Sequence, residues 1–177
     1  FPWLSHFSDA PVEGWNGLLE LNYKPGTKMQ MHLRYQQERR SGGYARQENN
    51  VPALEQHDQY RIRYHLRYRL TPSITSDNRI EWASIHTPHP SRGLMIYQDI
   101  GYQSSRCPLR FDIRYAVFDT DDYHSRIYAY EDDLLYHFSV PAYYSRGYRT
   151  YLNIKYSWKN MDWWLKVART AYVDKKE

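Results

Sequence analysis

From Tyr60 to Leu70 the chain reads Tyr-Arg-Ile-Arg-Tyr-His-Leu-Arg-Tyr-Arg-Leu, so every even position is apolar or aromatic and every odd one is cationic or His. A helix would spread those charges around its cylinder. A strand, whose side chains point alternately to opposite faces, gathers them on one side. The same period of two separates Met29, Met31, Leu33 and Tyr35 from Gln30, His32 and Arg34. It separates Leu109, Phe111, Ile113, Tyr115 and Val117 from Arg110, Asp112 and Arg114. Tyr148, Leu152, Ile154, Tyr156 and Trp158 alternate with Arg149, Asn153 and Lys155, and Trp163, Leu165 and Val167 with Trp164, Lys166 and Ala168. The pattern predicts an all-β chain, an antiparallel up-and-down meander of about ten strands. Their ranges are roughly 15–23, 27–38, 59–70, 74–86, 92–103, 108–118, 125–131, 134–140, 147–158 and 160–172.

Turn chemistry places tight connections at Lys24-Pro25-Gly26-Thr27, Thr71-Pro72-Ser73 and Lys159-Asn160. The polar stretch from Gln37 to Asp58 reads as a long structureless connection, and 86–91 and 119–124 also exceed a tight turn. Reading Glu131-Asp132-Asp133 as a turn makes short and long connections alternate throughout, as in outer-membrane barrels with short periplasmic turns and long outer loops. Most predicted strands match the ~9–11 residues of a tilted membrane strand. The expectation is part of a transmembrane β-barrel, with residues 1–177 as a single barrel segment. Its alternation puts both chain ends on the outer side, whereas barrel termini normally lie on the periplasmic side. This predicts a fragment with strands missing at both ends, from a barrel of about twelve or more strands. Those missing strands, or a partner chain, would pair its edges, and outer-membrane lipid would cover its skin.

Composition fits that reading. The 177 residues include 19 Tyr, 6 Trp and 5 Phe and carry a formal net charge of +4. Mean hydropathy is -0.88, and no apolar run approaches the ~18 residues of a spanning helix. A barrel strand exposes only every second residue to lipid, so low mean hydropathy does not exclude one. Cys107 is the only cysteine, which excludes an intramolecular disulfide and a multi-cysteine zinc site. The start, Phe1-Pro2-Trp3-Leu4-Ser5-His6, has no signal-peptide pattern, so either export preceded this start or residues are missing.

Arg34, Arg61, Arg63, Arg67, Arg69, Arg110, Arg114, Arg149, Lys155 and Lys166 all occupy the parity opposite the apolar one. Fewer acids share it, chiefly Glu20, Glu81, Asp99 and Asp112, which predicts a basic interior lining. Rings of Arg and Lys would favour anions in an open pore. The same residues would equally build ion-pair ladders that fill a closed interior.

Other constellations carry less. Arg-Tyr alternation suggests nucleic-acid stacking, but parity puts rings and cations on opposite faces, so no nucleic acid is expected to bind this segment. Asp119-Thr120-Asp121-Asp122-Tyr123-His124 offers oxygen ligands for Ca²⁺ but lacks the EF-hand glycine and terminal Glu, and reads better as a loop. His86-Thr87-Pro88-His89 has no third metal ligand, so neither metal nor cofactor is expected. His32 and His65 point inward with Ser84 as a candidate neighbour, but nothing assembles a nucleophile and base, and no catalytic residue is assigned. Trp15, Tyr23, Tyr102, Tyr115, Trp158, Trp163 and Tyr172 lie near strand ends, as aromatic girdles require. The rival is a soluble all-β binding module with the aromatics in its core, disfavoured by few Val and Ile beside so many Tyr.

The stretch Tyr115-Ala116-Val117-Phe118-Asp119-Thr120-Asp121-Asp122-Tyr123 is the most specific part of a family likeness. It continues through Ser125-Arg126-Ile127-Tyr128-Ala129-Tyr130-Glu131-Asp132-Asp133-Leu134-Leu135-Tyr136 to Phe138-Ser139-Val140-Pro141-Ala142-Tyr143-Tyr144. With Gly14-Trp15-Asn16-Gly17 and Ile96-Tyr97-Gln98-Asp99, it resembles the carboxy-terminal outer-membrane β-barrel region of Bacteroidota helix-hairpin-helix domain-containing proteins. The resemblance implies location in the cell outer membrane and a periplasmic amino-terminal region carrying that motif. It also implies a last strand beyond Glu177 ending in an aromatic residue; together with the basic lining, the expectation is an outer-membrane pore, transport or assembly component.

Overall fold

The structure, a computed structural model, describes residues 14–45, 53–87 and 89–173. Its strands are β1 (Gly14–Tyr23), β2 (Met29–Ala45), β3 (Ala53–Arg69), β4 (Ile74–His86), β5 (Ser91–Gln103), β6 (Leu109–Thr120), β7 (Ile127–Tyr128), β8 (Ala142–Tyr143), β9 (Arg146–Trp158) and β10 (Met161–Tyr172). Eight form one antiparallel sheet in the order β1-β2-β3-β4-β5-β6-β9-β10, while β7 and β8 pair only with each other. Among the described residues no helix occurs, and β1 and β10 are the two edges of the sheet.

This corrects the expectation that 125–131 and 134–140 continue the meander. β6 pairs directly with β9, from Leu109↔Tyr156 to Asp119↔Arg146. Residues 121–145 instead fold back over one face of the sheet. The period of two is present there, with Ser125, Ile127, Ala129 and Glu131 buried and Tyr128 and Tyr130 exposed. Their backbone finds other partners: the Tyr128 carbonyl accepts from Arg79 Nη2 at 3.0 Å and the Tyr130 carbonyl from Arg114 Nη1 at 2.6 Å. An extended segment therefore lies across the sheet rather than in it. Connections 24–28, 70–73, 104–108 and 159–160 share one rim and 87–90 and 121–145 the other; the rims are not sorted strictly by length, since 87–90 is shorter than 24–28 or 104–108.

A second correction concerns Gln37 to Asp58, expected to be structureless. The β2–β3 pairing runs out to Ala45↔Ala53 with an irregularity between Ser41 and Tyr44. Cross-strand hydrogen bonds join backbone groups whatever the side chains, so polar residues do not end the ribbon.

The two faces differ sharply. Between the sheet and the inserted segment lies the core cluster, Ala83, Met95, Tyr97, Ala116 and Phe118 from the sheet and Ile127, Ala129 and Tyr143 from the insert. Phe118 meets Tyr143 edge-on at 5.3 Å and Tyr172 at 6.0 Å, so Tyr172 packs inward and is not part of an outer aromatic band. At Gly93 the insert comes close to the sheet: a Cβ there would stand 2.4 Å from the Ser125 carbonyl oxygen. Gly93→Ala should therefore push the insert away and cost ~1–3 kcal/mol, read as a lowered unfolding midpoint. An unchanged midpoint would contradict the close approach.

On the opposite face Ile80, Leu94, Ile96, Ile100, Ile113, Val117, Leu165 and Val167 are 41–58% exposed. Towards the short-turn rim this face carries Tyr23, Tyr68, Tyr102, Phe111, Tyr156, Trp158 and Trp163, with Tyr102 stacked on Phe111 at 5.0 Å. Towards the other rim lie Trp15, Tyr35, Tyr60, Trp82 and Tyr148, while Tyr115 lies mid-strand.

Candidate functional site

Strand register turns the polar parity into rows of side chains running across the sheet. One row is Glu20, Arg34, Arg63 and Glu81, formed by the pairs Glu20↔Arg34, Arg34↔Arg63 and Arg63↔Glu81. Glu20 Oε1 lies 3.4 Å from Arg34 Nε, and Glu81 Oε2 accepts from Arg63 Nε at 2.8 Å and also holds Arg79. The next row towards the short-turn rim carries His32 and His65 beside Arg79. Beyond it come Arg67, Asp77, Asp99, Arg114 and Tyr151. Asp77 accepts from Arg67 Nη2 at 2.7 Å and contacts His65, while Asp99 takes both Arg114 Nε and Nη2 at 2.5 Å. The Arg114 guanidinium also stacks 3.8 Å from the Tyr97 ring centre.

The inserted segment answers this wall with acids. Glu131, fully buried, accepts from Arg149 Nε at 2.6 Å and Nη2 at 3.0 Å, and from the Tyr143 hydroxyl at 3.2 Å. Lys166 Nζ lies 3.3 Å from Glu131 and 3.1 Å from Asp133. Asp133 also accepts from the Leu134 amide at 2.8 Å. Burial acts to raise the Glu131 carboxyl, but the Arg149 and Lys166 charges outweigh it and hold the group below its ordinary value of 4.5. Asp133 is likewise lowered: burial opposes, and hydrogen bonds from Ser139, His137, the Leu134 amide and Lys166 prevail.

Folded-state values depressed in this way fix the sign of a pH effect. The contribution of each carboxylate is fully present above its unfolded value and is lost as pH falls through the folded one. Docking of 121–145 should therefore be constant at neutral pH and weaken progressively below about pH 4. Limited proteolysis of the segment against pH measures this, and protection that improves on acidification would reverse the assignment.

The expected basic residues all lie on this face. Arg34, Arg63, Arg67, Arg110, Arg114 and Arg149 each hold a carboxylate, Arg110 through Asp112 at 3.0 Å. Lys155 lies 3.3 Å from Asp162 and 5.0 Å from the Trp164 ring, and Arg69 is exposed at the short-turn rim. Arg61 instead faces the Gln59 carboxamide, whose oxygen, with the amide oriented to suit the Arg61 donors, accepts from Nη2 at 2.8 Å and Nε at 3.0 Å. Sequence reasoning missed Arg79, Asp77, Glu131 and Asp133. Asp77, Arg79 and Glu81 do alternate with Asn78, Ile80 and Trp82, a signal sufficient for the first two. Between wall and insert a cavity of about 250 Å³ remains, lined by residues including His65, Asp99, Arg114 and Asp132.

Ser84 does not join the inward histidines: it pairs with Tyr60 on the apolar parity. Among the described residues no cluster of three metal-ligating side chains occurs. The acids of 119–124 hold protein donors instead: Asp122 accepts from the Ser91 hydroxyl at 2.6 Å and the His124 amide at 2.8 Å, and Asp121 from the Arg92 amide at 2.9 Å. Pro88 of the His86–His89 stretch lies outside the described residues. No protein-family model, no curated protein and no solved structure matches this chain.

Proposed function

We propose that this chain is a segment of an outer-membrane β-barrel, a transport or assembly component whose basic interior is stoppered by its own residues 121–145. One observation carries the reading: the sheet face without a cover is mainly apolar and aromatic, broken by one row with Asn78, Gln98, Thr150 and Arg169, while the covered face buries ion pairs. Water favours the reverse arrangement, whereas lipid favours an aliphatic skin flanked by interfacial aromatics. The likeness to the Bacteroidota helix-hairpin-helix proteins leads to the same membrane. In this reading lipid covers the aliphatic face, further strands of the barrel pair the sheet edges, and the side chains of the interior serve closure rather than catalysis.

Of the two fates for a basic lining, the paired and stoppered one has the stronger support. An anion-selective pore needs cations free to meet a passing ion. Here Glu81, Asp77, Asp99, Asp112, Glu131 and Asp133 engage most of them. The deciding experiment is extraction of the intact protein from cells. It should stay with the membrane through high salt and alkaline wash and enter solution only with detergent. Release as a monodisperse protein in plain buffer would overturn the membrane reading in favour of a soluble binding module.

A further inference from the structure

A second polar cavity, of about 240 Å³, lies between the β2–β3 hairpin and the inserted segment, lined by Gln36, Glu38, Arg40, Gln59, Arg61 and Arg126. Its charges do not balance. Glu38 is the one carboxylate lining it and is already ion-paired with Arg40. Among the described residues no carboxylate forms an ion pair with Arg61 or Arg126, in contrast to Arg63, Arg79, Arg110, Arg114 and Arg149 on the same face. Two guanidiniums sharing a half-buried space repel one another unless an anion stands between them.

Both are held in position. Arg126 Nε donates to the Tyr128 hydroxyl at 2.6 Å and Nη1 to the Tyr123 carbonyl at 2.8 Å, with the Tyr123 ring centre 4.3 Å away. Gln59 fixes one edge of Arg61. Each keeps N–H donors for another partner, because a guanidinium carries five. Planar forks of this kind match the oxygens of phosphate. The cavity is smaller than the ~300 Å³ at the low end of organic ligand pockets, which suits a small anion.

We infer that this cavity binds a tetrahedral oxyanion of the phosphate class, bridged between Arg61 of the wall and Arg126 of the insert. The site lies on the polar face of the sheet, away from the aliphatic one, so the anion is a solute or the terminal group of one. An occupant touching both elements fastens the insert to the wall, because a ligand bound only by the docked state stabilises that state. This inference stands on the cavity and its charges and does not depend on the membrane reading.

The test uses the intact protein, in whichever of buffer or detergent keeps it monodisperse, titrated with inorganic phosphate at constant ionic strength. Calorimetry should give saturable binding at one site, and phosphate should protect 121–145 from protease. Arg61→Gln and Arg126→Gln should each weaken binding more than tenfold. Arg126→Lys, which keeps the charge and loses the fork, should weaken it less than Arg126→Gln. Arg106→Gln, in the exposed β5–β6 turn, should leave it unchanged. Absence of saturable binding, or equal binding by the wild type and both glutamine variants, would overturn the inference.

Discussion

Glu131→Gln is expected to release the inserted segment from the sheet. The carboxylate is fully buried and bound to Arg149, Lys166 and the Tyr143 hydroxyl, so it joins β9, β10 and both arms of the insert at one point. The amide has nearly the same shape and loses only the charge, leaving two cations facing each other without their shared counter-ion. Removing one partner of a buried ion pair costs about 3–5 kcal/mol, because the remaining charge stays desolvated. Arg149 keeps the Thr170 hydroxyl at 2.7 Å and Lys166 keeps Asp133, which places the expected loss at the lower end of that range. Two readouts should move together: the thermal midpoint falls and trypsin reaches Arg126; if the proposed membrane reading holds, ion conductance of the reconstituted protein also rises above the wild-type level. The double variant Glu131→Gln/Arg149→Met removes charge from both sides and should recover part of the stability. A Glu131→Gln protein as stable and protease-resistant as wild type would show that the insert is held by its apolar contacts alone.

How the insert stayed hidden explains what a sequence of this kind reveals. Period two declares that a residue run is extended and that its alternate side chains meet different surroundings, and it does so for Tyr60–Leu70 without ambiguity. Six of the eight main strands were legible to within a residue or two on that basis. The same rhythm occurs at Ser125, Ile127, Ala129 and Glu131, but their neighbour is the face of the sheet, and alternation carries no information about hydrogen-bond partners. The two long strands were underestimated for a related reason: Gln37 to Asp58 has no apolar side, yet hairpin hydrogen bonds need none. Most inward acids and bases of the strands were legible, because parity assigns them, although Asp77 and Arg79 were missed. Their pairing was not, since Arg114 finds Tyr151 beside it only once β6 is known to lie against β9. Glu131 was hidden twice over, as an apparent turn residue in a segment assigned to the wrong layer.

Ile96→Arg separates the two solvents that could meet the exposed face, because its expected effect is large in one and nearly nil in the other. Ile96 lies midway along β5, in a row with Tyr64, Ile80, Val117 and Tyr148, and is 47% exposed. In lipid at that depth an arginine costs about 2–4 kcal/mol, falling to about 0–1 kcal/mol near the interfaces. In water an arginine at an exposed site away from any cap or core stays within about ±0.5 kcal/mol. Ile62→Arg, one row nearer the long-loop rim beside Tyr35 and Trp82, should therefore cost less than Ile96→Arg but remain destabilising. Arg63→Leu gives the opposite face: Glu81 retains Arg79, so the loss should be smaller than for Ile96→Arg although the residue sits among buried charges. The measurement is the fraction of each variant assembled into membranes, followed by reversible unfolding in lipid with urea. A graded penalty from Ile96 to Ile62, with Arg63→Leu below Ile96→Arg, is the signature of a bilayer. If all three variants assemble alike, or if Ile96→Arg merely raises solubility in buffer, the aliphatic face never meets lipid, and aliphatic exposure beside aromatic bands would need a protein partner to account for it.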